Sequence, residues 1–175
     1  EFIRYPFILC PSNTLGHKNI INLIRSFEYI KKKNPKVKLV FTGSGTEVLN
    51  GEPENNFLKI QNHKRSVFGL GYVDNKDIDF LIKKASVVVN CSLYEPGNGS
   101  GLDAWKTGTP VAMSSISSFK EHLKYLGVKA ELFNPLDPKD IFNKIHKILS
   151  KQKKSKNKII NILKMKMKKV DWDLI

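Results

Sequence analysis

The sequence predicts an α/β fold in which a doubly wound parallel sheet of about six strands carries helices on both faces. Short apolar runs alternate with helical patterns along the chain, and short polar loops join them. Repeated strand and helix units of this kind form parallel strands linked by right-handed crossovers. The run from Val87 to Val89 is apolar without alternation, which is typical of a parallel strand covered on both faces.

The predicted strands are short, apolar and bounded by turn residues. In chain order they cover residues 7–10, 37–42, 67–70, 87–89, 110–113 and 131–133. The first helix follows the first strand, because apolar residues recur at helical spacing from Ile20 to Ile30 and stop at Asn34 and Pro35. The other helices are predicted after a cap at Asp74 or Asn75, at 101–106, at 119–126 and after Asp137-Pro138. The polar stretch 46–65 is predicted to contain at most a weak helix.

The length of 175 residues fits one domain with one core. Cys10 and Cys91 each lie in or beside an apolar run, so we expect two small buried hydrophobes rather than a disulfide or a catalytic thiol. The apolar runs are too short to span a membrane, and the first residues lack a signal-peptide pattern. We therefore expect a soluble, cytoplasmic protein.

The net charge of +14 is concentrated near the C-terminus, where nine lysines and no acid lie between Lys151 and Lys169. Apolar residues alternate with these lysines, which predicts a basic amphipathic helix over 151–175 that belongs to the same domain. Contact with an anionic membrane and packing against another domain both remain open for it. A nucleic-acid-binding module is disfavoured, because the lysines are not interleaved with aromatic residues and no nucleic-acid motif occurs.

Three loops fall at the carboxyl ends of predicted strands, where doubly wound sheets bind ligands: 11–18, 43–46 and 92–101. In the third loop Gly97, Gly99 and Gly101 allow close approach of backbone amides, and the next helix points its positive end there. This pattern predicts an anion cradle. It is not a dinucleotide fingerprint, because the GSG at 43–45 lacks a third glycine, and taken alone that GSG is better explained as a turn.

Two acids flank the glycines, Glu95 before them and Asp103 in the helix after them. Carboxylates would repel phosphates, but they accept hydrogen bonds from hydroxyl groups, and sugar hydroxyls fit that need. A capping or solvated carboxylate is the alternative for each acid. Lys18, in the first loop, is the cation best placed to reach a phosphate.

These residues resemble a known family. Residues 71–123, with the run EPGNGSGLDAWKTGTPV, are similar to the nucleotide-sugar-binding half of retaining glycosyltransferases of the GT-B fold, the GT4 family. That family shows an acid, seven residues, a second acid, a small residue and a G-x-P-V turn, matched here by Glu95, Asp103, Ala104 and Gly108 to Val111. The segment around Lys18 resembles the family's phosphate loop. NPLDPKDI at 134–141 and VDWD at 170–173 resemble its closing segments.

The resemblance implies a role for each matched position. Glu95 would be the catalytic acid near the donor sugar, Asp103 would hold the ribose, and Lys18 would neutralise the diphosphate with amides of the glycine loop. The base would lie against the loop after the third strand. The implied donor-binding residues are Asn13, Lys18, Gly43, Gly71, Tyr72, Val73, Gly97, Asn98, Gly99, Ser100, Gly101, Leu102 and Asp103. The resemblance implies neither a metal nor a cofactor.

The function implied is transfer of a hexose, with retention, from a UDP- or GDP-sugar to a glycan or lipid-linked acceptor. Residues 1–150 would form the Rossmann-like nucleotide-sugar-binding domain, one half of a GT-B fold, and 151–175 the start of the crossover. The N-terminal half would be missing, so this part alone would transfer little, and contact with the inner face of the membrane is possible. A nucleotide-sugar epimerase of the same fold is the alternative enzyme.

Two positions depart from the family pattern. The second acid is usually glutamate, and Asp103 is one methylene shorter. An arginine often stands five or six positions before the lysine, where this chain has Ser12 and Asn13. One phosphate contact is therefore either missing or supplied by Arg4, Lys106 or His17.

Overall fold

The computed structural model describes residues 2–50 and 66–151. Within these residues a six-stranded sheet has the order β3-β2-β1-β4-β5-β6, and every neighbouring pair is parallel. The strands are β1 (Phe7–Pro11), β2 (Lys38–Thr42), β3 (Val67–Gly69), β4 (Val87–Asn90), β5 (Val111–Ser114) and β6 (Glu131–Phe133). The α/β fold with a doubly wound parallel sheet is confirmed.

The helices of the described residues are α1 (Ile20–Lys33), α2 (Asn75–Lys84), α3 (Gly99–Lys106), α4 (Ser117–Leu126) and α5 (Pro138–Leu149). The prediction placed the start of α3 at Gly101, but the helix begins two residues earlier because Asn98 already caps it. The helix α4 likewise begins at Ser117 rather than at 119. The weak helix expected after β2 is a short 3-10 helix, Thr46–Asn50, and the rest of that stretch, 51–65, lies outside the described residues.

Two apolar clusters cover the two faces of the sheet, as double winding requires. On one face α1 and α5 pack against the strands through residues such as Phe27 and Ile145. On the other face α2, α3 and α4 pack through residues such as Ile82, Trp105 and Phe119. Cys10 and Cys91 are both buried and free, as predicted.

The strand order places a crevice at the carboxyl end of β1 and β4. From β1 the chain moves outward to β2 on one side, and later β4 lies on the other side of β1. The loops that follow β1 and β4 therefore leave the sheet towards opposite edges, which opens a crevice between them. The loops that carry Lys18 and Glu95 border this crevice.

The predictions for the C-terminal segment, including the amphipathic helix and the VDWD match, fall on 152–175, outside the described residues. Among the residues that are described, no helix has the length and apolar character needed to cross a bilayer. The domain boundaries and the cytoplasmic location stay predictions.

Candidate functional site

Lys18 and Glu95, which are 77 positions apart in the chain, form an ion pair across the crevice. Lys18 is the last residue of a short 3-10 helix, Gly16–Lys18, and its Nζ donates to Glu95 Oε1. The two side chains are only 20% and 14% exposed. We call these two residues the inner pair. The structure thus brings together the predicted phosphate-binding lysine and the predicted catalytic acid.

The carboxylate of Glu95 has a second donor that the sequence analysis missed. The Ser92 hydroxyl donates to Glu95 Oε1 over 2.7 Å, and it also lies 3.2 Å from Asn90 Oδ1 at the end of β4. Burial raises the pKa of Glu95, but the hydrogen bonds from Lys18 and Ser92, with the charges of Lys18 and His17, outweigh it and hold that pKa below its usual value. Glu95 is therefore a carboxylate at neutral pH, able to accept a hydrogen bond from a hydroxyl group.

The loops after β1 and β4 are joined by backbone contacts as well. Leu93 N–H donates to His17 C=O over 2.8 Å, and the Cys91 thiol donates to Lys18 C=O over 3.1 Å. The His17 ring stacks on Tyr94, with the ring centres 4.7 Å apart. Tyr94 is 66% exposed and stands at the rim of the crevice. Its position beside Glu95 in sequence was the only signal that could have suggested it.

The N-terminus of α3 opens into the same crevice. Asn98 is buried, and its Oδ1 accepts from Gly101 N–H over 3.1 Å and from Asn90 Nδ2 over 3.3 Å. The Asn98 side chain therefore caps the helix, and a contact of Asn98 with the donor stays a prediction. The backbone N–H groups of Gly99 and Ser100 have no partner within the described residues. These two amides are the ones that the helix presents to an anion.

The glycines of this loop differ in whether their surroundings leave room for a side chain. A Cβ on Gly101 would lie 2.3–2.6 Å from the Asn98 side chain, so the cap itself requires glycine there. A Cβ on Gly97 or Gly99 would meet nothing within 4 Å. Packing within the described residues therefore does not explain these two glycines, whereas close approach of a ligand would.

The loops after β1, β2 and β3 meet beside the crevice. Gly43 has φ of +122°, and a Cβ there would lie 2.9 Å from Asn13 N. Gly43 N–H donates to Gly71 C=O over 2.6 Å, and the buried Thr46 hydroxyl accepts from Gly71 N–H over 2.9 Å. Tyr72, next to Gly71, is 81% exposed. The structure thus gathers the predicted base-binding loop with Asn13 and Gly43.

Asp103 lies apart from these contacts. It accepts from Lys106 Nζ over 3.1 Å within α3, and both side chains are 45% exposed. We call Asp103 and Lys106 the outer pair. Asp103 also lines a surface cavity of about 460 Å³ with Asp79, Phe80, Lys83, Lys106 and Thr107. That lining includes none of the other predicted donor-binding residues.

The missing arginine contact has fewer substitutes than the sequence suggested. Arg4 lies in the 3-10 helix Phe2–Arg4 before β1, at the amino ends of the strands, whereas the crevice lies at their carboxyl ends. A five-residue strand such as β1 separates these two ends by about 16 Å. Arg4 is therefore wrong as a substitute. Of the two remaining candidates, His17 precedes Lys18 in the crevice loop, whereas Lys106 lies on α3 in contact with Asp103. Within the described part of the chain, no group of three or more His, Cys, Asp or Glu could hold a metal ion.

Comparison with known proteins bears on the family and the fold. Residues 3–165 match the family described as glycosyl transferases group 1. The chain is 31% identical to an uncharacterized glycosyltransferase of Methanocaldococcus jannaschii over an alignment that covers 86% of this chain and 39% of that protein. The chain therefore spans well under half the length of that relative.

Two solved structures share the fold. HepE of Anabaena, solved in complex with UDP-glucose, superposes with a TM-score of 0.76 at 20% identity, over 97% of this chain and 46% of that one. The C-terminal domain of LpcC, a glycosyl transferase group 1 protein of Francisella tularensis, gives a TM-score of 0.75 at 16% identity, over 94% of this chain and 88% of that one. The fold is thus the Rossmann-like domain that forms one half of GT-B glycosyltransferases.

Proposed function

The chain belongs to the glycosyl transferases group 1 family, and from this premise we propose that it is the C-terminal, nucleotide-sugar-binding domain of a retaining glycosyltransferase of the GT4 type. The observation that carries the proposal is the inner pair, which stands at the switch point of the sheet beside the open N-terminus of α3. Hydrogen bonds through Ser92 and Asn90 link the inner pair to the start of α3, where two amides have no partner within the described residues.

The donor diphosphate is the part of the ligand that Lys18 and α3 would hold. A diphosphate needs positive charge and N–H donors, and the Lys18 ammonium with the amides of Gly99 and Ser100 supplies both. Because Gly97 and Gly99 carry no side chain, the phosphates can come close to the backbone. When the sugar leaves, the same groups would stabilise the charge that develops on the diphosphate, so no metal ion or cofactor is required.

The hexose and the nucleoside would lie on either side of the diphosphate. Glu95, held ionised by Lys18 and Ser92, would accept hydrogen bonds from hydroxyl groups of the sugar at the reacting end. The nucleobase would lie along Gly71 to Val73. Asp103 would reach the ribose from α3, which requires that it leave Lys106 when donor binds.

The donor is proposed to be a UDP- or GDP-hexose and the acceptor a glycan or a lipid-linked glycan. HepE, which shares the fold, is solved with UDP-glucose, and this makes UDP the first nucleotide to test. The acceptor would be held by the N-terminal half of the enzyme, against which this domain would close. We place the enzyme in the cytoplasm, with peripheral contact at the inner face of the membrane.

Calorimetric titration of the chain with UDP, GDP, ADP and a short single-stranded oligonucleotide, at two salt concentrations, tests the proposal. We expect saturable binding that favours one nucleoside diphosphate and falls about tenfold in Lys18→Ala, because a charge-assisted hydrogen bond is lost. Lys147→Ala is the matched control. Lys147 lies on α5 and pairs over 2.7 Å with Glu131, the first residue of β6, away from the crevice. Binding of the oligonucleotide alone, with steep salt dependence, would contradict the proposal and favour a nucleic-acid-binding module.

A further inference from the structure

Asn19, which directly follows Lys18, has an unusual backbone conformation. Its φ of 54° and ψ of 31° are left-handed, and among the described residues it is the only non-glycine with positive φ. Asparagine adopts this conformation at a modest cost, and it does so here at the junction between the 3-10 helix that carries Lys18 and the first turn of α1. The chain therefore turns sharply just after the lysine.

The side chain of Asn19 joins three loops. It is 5% exposed, and its Nδ2 donates to Cys91 C=O over 3.1 Å and to Pro135 C=O over 2.7 Å. Its Oδ1 accepts from Asn22 Nδ2 over 2.9 Å. Both amide protons and the amide oxygen are thus used, and the partners lie after β1, β4 and β6.

Hydrogen bonds join Asn19 and Lys18 to the loop that carries the other member of the inner pair. Cys91 opens the loop that carries Ser92 and Glu95, so the bond from Asn19 to Cys91 fixes that loop relative to the residue next to Lys18. The bond from the Cys91 thiol to Lys18 C=O holds the same junction from the other side. Because Asn19 is buried, it cannot touch a ligand itself.

We propose that Asn19 is a positioning residue that holds the Lys18 ammonium against Glu95 and beside the amides of α3. The relevance to nucleotide binding rests on the proposed function, whereas the effect on the inner pair does not. A glycine would permit the left-handed turn without the three side-chain bonds, so the backbone role and the side-chain role of Asn19 can be separated.

The test compares Asn19→Gly with Asn34→Gly in the 175-residue chain. Asn34 is the control because its side chain also makes a half-buried bond, 3.2 Å to His146 Nδ1, at the far end of the same helix. Three quantities are measured: melting temperature, affinity for UDP and for GDP by calorimetry, and the pH titration of the Glu95 carboxyl carbon by NMR. A purely structural role would lower the melting temperature alone.

We expect both variants to melt lower than the wild type. Asn19→Gly alone should raise the pKa of Glu95 towards its ordinary value and weaken nucleotide binding about tenfold, as expected for a misplaced charged donor. If Asn19→Gly does not fold, Asn22→Ala should shift the same two readouts by less, because it removes the bonds from Asn22 Nδ2 to Asn19 Oδ1 and to Pro135 C=O and leaves the bond from Asn19 to Cys91. A folded Asn19→Gly with wild-type Glu95 titration and wild-type nucleotide affinity would overturn the proposal.

The two proposals fail in different ways. If the wild type binds no nucleoside diphosphate but Asn19→Gly still changes the Glu95 titration, the proposed function falls and the positioning role stands. If the wild type binds a nucleotide and Asn19→Gly binds it equally well with an unchanged titration, the positioning role falls and the proposed function stands.

Discussion

The inner pair and the outer pair join the same two chemical groups in different surroundings. Lys18 and Glu95 are 20% and 14% exposed, come from different loops and have the Ser92 hydroxyl as an additional donor. Asp103 and Lys106 are each 45% exposed and lie three positions apart on one helix. Exposed ion pairs like the outer pair contribute little to the stability of the fold, because water and salt screen the charges and two long side chains must be ordered.

The comparison shows where a ligand could displace an existing contact at low cost. The outer pair can open at a cost of no more than about 0.5 kcal/mol, so Asp103 is available to a ribose with little loss of stability. The inner pair is part of a network, and its members can exchange partners only with a ligand that supplies both an anion for Lys18 and hydroxyl groups for Glu95. A nucleotide sugar has both.

Neutralising each acid should give the largest difference in stability between the two pairs. We expect Glu95→Gln to lower the free energy of unfolding by about 1 to 2 kcal/mol, because Lys18 loses its charged partner in a largely buried position. Asp103→Asn should change it by no more than about 0.5 kcal/mol. Urea unfolding of both variants measures the difference. Equal losses of unfolding free energy would mean that burial does not strengthen the inner pair relative to the outer pair.

Double-mutant cycles should separate pair energy from other losses. For Lys18→Met with Glu95→Gln we expect a coupling energy of about 1 kcal/mol, and for Lys106→Met with Asp103→Asn about 0.3 kcal/mol, as for helix pairs at this spacing. The same unfolding experiment supplies all four free energies of each cycle. A larger coupling in the outer pair would contradict the ranking drawn from exposure.

Acid should remove the contribution of the inner pair. Because the folded-state pKa of Glu95 lies below its unfolded-state value, the pair stabilises the fold above the unfolded value and loses this contribution as pH falls through the folded value. The stability lost on acidification through Glu95 cannot exceed the stability that the inner pair contributes at neutral pH. The stability gap between the wild type and Glu95→Gln should therefore narrow as pH is lowered from 6 to below the usual range of glutamate, about 4.3. A stability gap that widens as the pH falls would mean that the folded state raises the pKa of Glu95.

The glycine loop between the two acids should give the smallest change in stability. Gly99 lies in the first turn of α3 and faces open space, so Gly99→Ala should raise stability by up to about 0.5 kcal/mol through helix propensity, while nucleotide affinity falls. Gly101→Ala is the contrast, since its Cβ would clash with Asn98 and should destabilise the domain. Unchanged nucleotide affinity in Gly99→Ala would remove the close-approach argument for that glycine.

Much of the fold was predictable because its signals are local. The apolar runs gave six strands in the right places, and Asp137-Pro138 marked the start of α5, where Asp137 accepts from Lys139 N–H over 2.8 Å. The start of α3 was wrong by two residues, because glycines gave no helix signal and the capping role of Asn98 depends on a buried contact with Asn90. Arg4 was wrong as a phosphate ligand because it precedes β1 and therefore lies at the amino ends of the strands, away from the crevice.

The sequence by itself determined the order of strands and helices, the dense glycines before a helix and the spacing of the two acids, since each of these follows from residues within one or two turns of each other. Only the tertiary structure decided that Lys18 meets Glu95, that Asn19 ties three loops together and that Asp103 stands apart. The physical reason is that these contacts depend on which strands lie side by side. β1 and β4 are neighbours although two strands separate them in the chain, and local periodicity does not encode that pairing.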